Sequence, residues 1–249
     1  MGPLGWTKAL IPRTLGGSGD VVTERMALAD FTVVEAHNGF DVEISQSDSF
    51  GVTVRVDDNV RQLVEVSKNG DTLRLRLKRG VSLRGATLEA SITMPDLEGL
   101  TLSGTSRAKV THFRASGSLD IALSGASTMN GDIEAGDVNI HSSGTSRVAC
   151  VLLAGNVGTK ASGASGIVLD GSATGLTVDG SATSRFELAG FSVGVAKVRL
   201  NGASKATVNA QEGIDPVRVS GTSRLQYLGD AVARHVSRSG GSTVAKIGN

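Results

Sequence analysis

Large aromatic side chains are scarce in this chain of 249 residues, because only 3% of its residues are aromatic, with one tryptophan and one tyrosine. Rings usually dominate the cores of domains of this length, so their scarcity favours a narrow core of small aliphatic side chains with no room for large rings. No stretch approaches the roughly 20 apolar residues that a membrane-spanning helix needs. The single cysteine, Cys150, excludes an intramolecular disulfide, and its place between Val148 and Leu152 predicts a buried apolar side chain.

Catalytic and cofactor motifs are also missing. The chain has no Gly-x-Ser-x-Gly nucleophile elbow and no phosphate-binding glycine loop. The formal net charge is +1 without a basic block interleaved with aromatic residues, which argues against nucleic acid as a partner. The sequence therefore predicts no catalytic residue, no metal and no cofactor. Four histidines lack zinc-ligand spacing and are expected on the surface: His37, His112, His141 and His235.

The first 20 residues contain Pro3, Pro12 and a Gly-Gly pair but no uninterrupted apolar core of the kind found in secretory signals. We therefore expect residues 1–20 to form an N-terminal tail, with no signal peptide visible in this chain.

A five-residue phrase of the type SGTSR recurs eight times in the last three-fifths of the chain. Its fourth place is always serine, and successive serines are 19 to 21 residues apart. Self-similarity at a short fixed period is the signature of a solenoid. The phrase serines form a predicted structural turn ladder: Ser106, Ser127, Ser146, Ser165, Ser184, Ser204, Ser223 and Ser242.

Apolar and polar residues alternate on both sides of each phrase, as in Leu100 and Leu102 before it and Ala108 and Val110 after it. This is strand periodicity, and each repeat reads as strand, tight turn, strand. The Leu-Asn ladder of leucine-rich repeats is absent, and glycine and serine are too dense for helices. Coils of about 20 residues stacked at the strand spacing of roughly 4.8 Å make a parallel β-helix.

The phrase has a physical explanation as a corner of the coil. Glycine at its second place supplies the positive φ of a sharp turn, and the serines can hydrogen-bond turn amides that the strands leave unpaired. The fifth place carries cations mainly on alternate coils, and two interpretations of this row remain open. It is either a solvated face that keeps the rod soluble, or a basic stripe that binds acidic glycans or another surface. The candidate binding residues are Arg107, Arg147, Arg185, Lys205 and Arg224.

Residues 21–99 have strand patterns but no phrase, which is expected of a cap and opening coils that shield the first apolar end of a solenoid. Asn69-Gly70-Asp71 predicts a hairpin turn, and Asp57-Asp58-Asn59 predicts a turn or helix start. We therefore expect one domain over 21–249, with eight phrase-containing coils in 100–249.

Segments along most of the chain resemble the bacterial family described as putative auto-transporter adhesin, head GIN domain. They include residues 17–60, LEGLTLSGTSRAKV at 97–110, the SGAS and SGTS phrases, and the closing STVAKIGN. The resemblance implies a right-handed β-helix, usually located outside the cytoplasm, in the cell envelope or secreted. It brings no catalytic residues with it. The chain departs from the family in having no export signal or lipobox cysteine near its start.

Three functions follow from this architecture. The first is a non-enzymatic, adhesin-like protein that binds a glycan or cell-surface ligand through ladders of serine, threonine and arginine. The second is a structural scaffold that forms homo-oligomers through its coil ends or faces. The third, less favoured, is a polysaccharide lyase or hydrolase, which needs a carboxylate cluster. Asp132, Glu134 and Asp137 are close together, but acids do not recur at one place in the coil.

Overall fold

The computed structural model describes residues 13–248 and has the predicted parallel β-helix, with about eight turns. The part of the predicted tail before residue 13 lies outside the described residues. Its last part forms a short strand, Arg13–Gly16, which pairs in parallel with Val81–Arg84.

The strands follow one another with one 3-10 turn, Asp58–Leu63, among them. They are β1 (Arg13–Gly16), β2 (Val21–Met26), β3 (Val33–Ala36), β4 (Asp41–Gln46), β5 (Gly51–Asp57), β6 (Val64–Asn69), β7 (Thr72–Leu77), β8 (Val81–Arg84), β9 (Leu88–Met94), β10 (Gly99–Leu102), β11 (Arg107–Arg114), β12 (Leu119–Leu123), β13 (Thr128–Glu134), β14 (Val138–Ser142), β15 (Arg147–Ala161), β16 (Gly166–Gly180), β17 (Arg185–Leu200), β18 (Lys205–Val219), β19 (Arg224–Leu228), β20 (Val236–Arg238) and β21 (Thr243–Lys246).

The parallel strands stack into two faces of the rod, and the turn formed by the phrase connects one face to the other. Face I contains the strands that lead into the turn, such as β10, β12 and β14, and face II contains the strands that leave it, such as β11 and β13. From β15 to β18 a single long strand spans face II of one coil and face I of the next. The register keeps every phrase directly above the previous one, so each position of the phrase becomes a column along the rod.

The glycine at the second place of the phrase is required for two reasons. Gly144 has a φ of +72°, a region that suits glycine, and a Cβ added to it would lie 2.4 Å from the carbonyl oxygen of Gly125 in the preceding coil. That carbonyl is close because it accepts the N–H of Thr145 at 2.7 Å. The turn ladder is thus held by backbone hydrogen bonds that leave no space for a side chain.

The phrase serines form a buried column beside the glycines, and all but Ser242 are at most 1% exposed. Their hydroxyls donate to the carbonyl at the first place of the same phrase, as Ser127 Oγ does to Ser124 O at 2.8 Å. Ser184 is the exception, because its hydroxyl has no hydrogen-bond partner among the described residues. In that same phrase the second place is Ala182 instead of glycine, with a φ of +58°.

Replacing Ala182 by glycine is expected to stabilise the protein by about 1 kcal/mol. The left-handed conformation strains alanine, whereas glycine adopts it freely, and this gain exceeds the entropy that glycine adds to the unfolded chain. Urea unfolding followed by circular dichroism measures the difference. The matched control is Ala203→Gly, one coil later at the third place, where φ is not positive and a loss of about 0.5 kcal/mol is expected. Equal losses in both variants would refute the strain at Ala182.

The core is a set of inward columns of small and medium side chains. One of them runs Val42, Ala108, Met129, Val148, Ile167, Phe186, Ala206 and Leu225, all at most 3% exposed. The expectation that the coil has no room for rings is wrong, because Phe113, Phe186 and Phe191 are buried inside it. The ring of Phe186 fits because Gly180 has no side chain, and a Cβ there would lie 2.7 Å from the ring.

The region 21–99 contains an opening coil, as predicted, although its turn does not carry the repeated phrase. Strands β3 and β4 stack in register on β10 and β11. Residues 37–41 therefore form a ninth tight turn, which stacks on the first of the eight phrases and which we call the ninth turn. Asn38, at a φ of +64°, occupies the place of the phrase glycine. The signal in the sequence is the Asn38-Gly39 pair, since both residues tolerate positive φ.

Antiparallel strands cover the N-terminal end of the rod. On face II, β5 pairs with β9, and β2 pairs with β5. On face I, β6 and β7 form the hairpin predicted from Asn69-Gly70-Asp71, and the 3-10 turn starts at the predicted Asp58. A buried carboxylate joins these segments, because Asp57 accepts the N–H of Gly19 at 2.9 Å and that of Thr87 at 2.7 Å.

The opposite end is the coil of β20 and β21. Its strands pair in register with those of the preceding coil. At two inward positions, however, the residues paired with Val219 and Tyr227 are cations. These cations are Arg238 and Lys246, and both are exposed.

Candidate functional site

The fifth place of the phrase forms a column on the outer side of face II. Strand register places its members one above another: Asp41, Arg107, Thr128, Arg147, Gly166, Arg185, Lys205, Arg224 and Thr243. All five predicted binding residues therefore lie in one line, which we call the cation column. Their side chains are exposed because the fifth place is the first outward position after the buried serine.

Most cations of the column have no carboxylate partner in the described part of the chain. Arg185 is the exception, because its Nε lies 2.5 Å from Glu187 Oε1 on the same strand. The charges of Arg107, Arg147, Lys205 and Arg224 form no ion pair with residues 14–248. Some cations elsewhere on the rod are paired, as in Arg55–Glu89 and Arg74–Glu35, whereas others, such as Arg199 and Arg218, form no ion pair among the described residues.

The predicted ladders differ in what they offer a ligand. The phrase serines are buried and their hydroxyls serve the turn, so the serine ladder lies inside the fold. Threonines at the third place are exposed, but the hydroxyls of Thr145, Thr183 and Thr222 donate to a carbonyl of the preceding coil, as Thr145 Oγ1 does to Gly125 O at 3.2 Å. Donors that point outward on this side of the molecule are therefore mainly the guanidinium and ammonium groups of the cation column.

A groove of about 850 Å³ runs along the first half of the cation column, and we call it the Gly166 groove. Its lining includes Arg107, Arg147 and Arg185, with Gly166 between the last two. Four strand steps separate Arg107 from Arg185, so the groove extends over roughly 19 Å at the usual strand spacing.

Because Gly166 has no side chain, it leaves a gap at the centre of this groove, which we call the notch. The backbone does not require glycine at this position. Its φ lies outside the left-handed region, and a Cβ added to it would have only ordinary contacts, with Arg147 Cγ and Arg185 O at 4.0 Å. In this it differs from the turn glycines such as Gly144. The missing side chain opens space on the surface without serving the turn.

Apolar and acidic side chains border the column. Exposed Val168 lines the groove beside Gly166, and exposed Val151 and Leu153 lie farther along the strands. Asp132 and Asp170 flank Val151 in register. An anionic molecule is therefore attracted to the column and repelled from the region of face II farther along the strands.

The titratable groups nearby do not assemble a nucleophilic site. Burial, with a smaller contribution from the charge of Asp132, raises the pKa of the Cys150 thiol to about 12, which keeps it protonated near neutral pH. His112 lies 3.2 Å from Asp132 but its side chain is 83% exposed.

Among the described residues, no group of three histidine, cysteine or carboxylate side chains could hold a metal ion. The same residues include no helix long and apolar enough to cross a membrane.

Three of the four histidines are on the surface as predicted, but His37 is half-buried. It occupies the first place of the ninth turn, where its Nδ1 lies 2.5 Å from Ser103 Oγ. Glu35 is next to it, and the hydrogen bond from Arg74 holds the pKa of that carboxyl below its ordinary value against the opposing effect of burial. His37 is thus part of the stacking of the cap on the first phrase.

Solved structures share this fold over almost the whole chain. A crystal structure named as a putative lipid binding protein from Parabacteroides distasonis has a TM-score of 0.86 at 17% identity, covering 94% of this chain and 100% of the other. One named as a putative adhesin from Parabacteroides merdae has a TM-score of 0.85 at 18% identity, covering 94% and 99%. A second putative adhesin, from Parabacteroides distasonis, has a TM-score of 0.82 at 19% identity, covering 94% and 100%.

Among curated proteins, none matches this chain. The model of one protein family matches residues 30–231, a range that includes the cap from β3 onward and the coils that carry the cation column as far as Arg224. The chain therefore belongs to the family described as putative auto-transporter adhesin, head GIN domain.

Proposed function

We propose that this protein is a non-enzymatic, adhesin-like binding protein of the bacterial envelope that holds acidic glycans on the cation column of face II. The observation that carries the proposal is the in-register line of Arg107, Arg147, Lys205 and Arg224, none of which forms an ion pair among the described residues. Unpaired cations aligned in one column suit a polymer with repeated negative charges, since many weak contacts add up along it.

The related structures support a binding role without naming the ligand. Two of them are named as putative adhesins and one as a putative lipid binding protein. An acidic glycan fits the cation column better than a lipid does, because the charges are spread along the rod axis and the apolar side chains beside them form only a small patch. Family membership also supports a location outside the cytoplasm, where such a glycan is accessible.

Self-association into a scaffold is less well supported. The last coil presents Arg238 and Lys246 at inward positions, and a second molecule stacked there would bury both charges.

The double variant Arg107→Ala/Arg147→Ala is expected to bind acidic glycans at least about tenfold more weakly than the unmodified protein, because each arginine supplies charge-assisted hydrogen bonds. Binding to immobilised heparin, hyaluronan and polygalacturonate, with neutral dextran as the blank, measures the effect at low and physiological salt. The unmodified protein should lose affinity as salt rises, because exposed charges are screened.

The matched control is Arg199→Ala/Arg218→Ala. These two exposed arginines are register partners on face I, so the control removes the same charge from the other face of the rod. It should bind as the unmodified protein does. Equal losses in both variants would mean that net charge, and not the column, causes binding, and no binding of the unmodified protein to any acidic glycan would refute the proposed function.

A further inference from the structure

We propose that the Gly166 groove seats a linear acidic polysaccharide whose acidic groups occur on every second sugar, with an uncharged sugar lying over Gly166. This inference rests on the proposed function, because it names the kind of glycan that the cation column holds.

The spacing of the cations within the groove is the first step. Register places Arg107, Arg147 and Arg185 on alternate coils, with Thr128 and Gly166 between them. Arg107 and Arg147 are unpaired, whereas Arg185 contacts Glu187, which also lines the groove, so a bound acid competes with Glu187 for Arg185. Cations therefore recur roughly every 10 Å, twice the strand spacing. A sugar in an extended linear polymer occupies about one strand spacing. A chain lying along the rod axis thus meets one cation for every two sugars, and acids on alternate sugars match that period.

The notch is the second step. A polymer that lies close to the arginines needs room for the sugar between two acidic ones. Gly166 supplies that room, although its backbone would accept a side chain, since the nearest atoms to an added Cβ are at 4.0 Å. The glycine at this place is therefore explained by what lies over it and not by the turn.

The walls of the groove are the third step. Val168 and Ala149 offer apolar contact to the C–H face of a sugar, and exposed Asn130 offers an amide to its hydroxyls. Thr183 also lines the groove; its hydroxyl donates to Gly163 O at 2.9 Å and retains lone pairs that can accept from a sugar hydroxyl. An uncharged sugar finds apolar and hydrogen-bonding partners here, whereas a second acid over Gly166 finds no cation directly beneath it.

Two substitutions of Gly166 test this inference, with hyaluronan and polygalacturonate oligomers of equal length as probes in titration calorimetry. Hyaluronan carries one carboxylate on every second sugar, and polygalacturonate carries one on every sugar. We expect the unmodified protein to prefer hyaluronan about tenfold. Gly166→Thr fills the notch without changing the charge and should weaken hyaluronan binding about tenfold. Gly166→Arg makes the column continuous from Arg147 to Arg224 and should shift the preference to polygalacturonate.

The outcomes separate this inference from the proposed function. Circular dichroism and unfolding curves like those of the unmodified protein show that each Gly166 variant is folded. Equal affinities for the two polymers, a preference for polygalacturonate, or unchanged hyaluronan binding by folded Gly166→Thr would overturn the inference. The proposed function would still stand in those cases if Arg107→Ala/Arg147→Ala lost affinity. Absence of binding to every acidic glycan would overturn both.

Discussion

Replacing Gly144 by valine is expected to lower the free energy of unfolding by about 3 kcal/mol. The φ of Gly144 is +72°, where a β-branched residue is strained, and the added Cβ would lie 2.4 Å from the carbonyl oxygen of Gly125. That carbonyl cannot retreat easily, because it accepts the N–H of Thr145 in the turn ladder. The strain therefore spreads to the contact between two successive coils.

Urea unfolding followed by far-ultraviolet circular dichroism measures this loss, and Gly166→Val is the matched control. Gly166 is also a phrase glycine, in the coil directly after Gly144, but its φ is not positive and its Cβ would have ordinary contacts only. We expect the control to change the stability by less than about 0.5 kcal/mol. Similar losses for the two variants would show that the turn ladder does not depend on the geometry of Gly144.

Replacing Asp57 by alanine is expected to cost about 3 kcal/mol, because two N–H donors lose a charged acceptor in a buried place. The Asp57 side chain ends β5, is 1% exposed, and accepts the N–H groups of Gly19 and Thr87 from two other segments of the cap. The packing around it is close, since a Cβ on Gly17 would lie 2.3 Å from its carboxylate. Without the carboxylate, the segments before β2 and β9 lose their common anchor.

Asp58→Ala provides the comparison for this change. Asp58 is the next residue in the chain and has the same charge, but it is exposed, and within residues 14–248 its carboxylate accepts only the Ser18 hydroxyl, at 2.6 Å. A loss of less than about 1 kcal/mol is expected there. If Asp57→Ala unfolded at the same urea concentration as Asp58→Ala, the buried carboxylate would not be the anchor of the cap.

The repeated phrase made the fold and the cation column predictable, because one motif at a nearly constant spacing leaves little choice of register. Glycine at the second place implied positive φ, as the structure has it. Serine at the fourth place implied a hydrogen bond in the turn, but the predicted partner, a turn amide, is wrong, because the hydroxyls donate to the carbonyl at the first place. The coil of residues 37–41 could not be found in the same way. His37, Asn38 and Phe40 differ from the phrase, and the Asn38-Gly39 pair indicates only a turn, so the shared geometry is shown by their stacking on residues 103–107.

The candidate site required the structure for a different reason. In the sequence, Gly166 stands at the fifth place of its phrase, apart from the turn glycines of the second place, but the sequence does not show whether its missing side chain leaves a notch. That difference depends on the φ angle and on the distance to atoms of neighbouring coils. The pairing of Arg185 with Glu187 was equally hidden, because the rotamers of exposed side chains decide it.

The cations of the last coil affect how the rod behaves when it is concentrated. The open edge of a β-sheet acts as a template on which further strands can add, and repetition of that step leads to fibres. Arg238 and Lys246 stand at inward positions of β20 and β21, where a newly added coil would require apolar neighbours. Burial of an unpaired cation costs several kcal/mol, so the addition of a second rod at this end is unfavourable. These two side chains act as gatekeepers against end-to-end polymerisation of a protein whose neighbouring coils already attract one another.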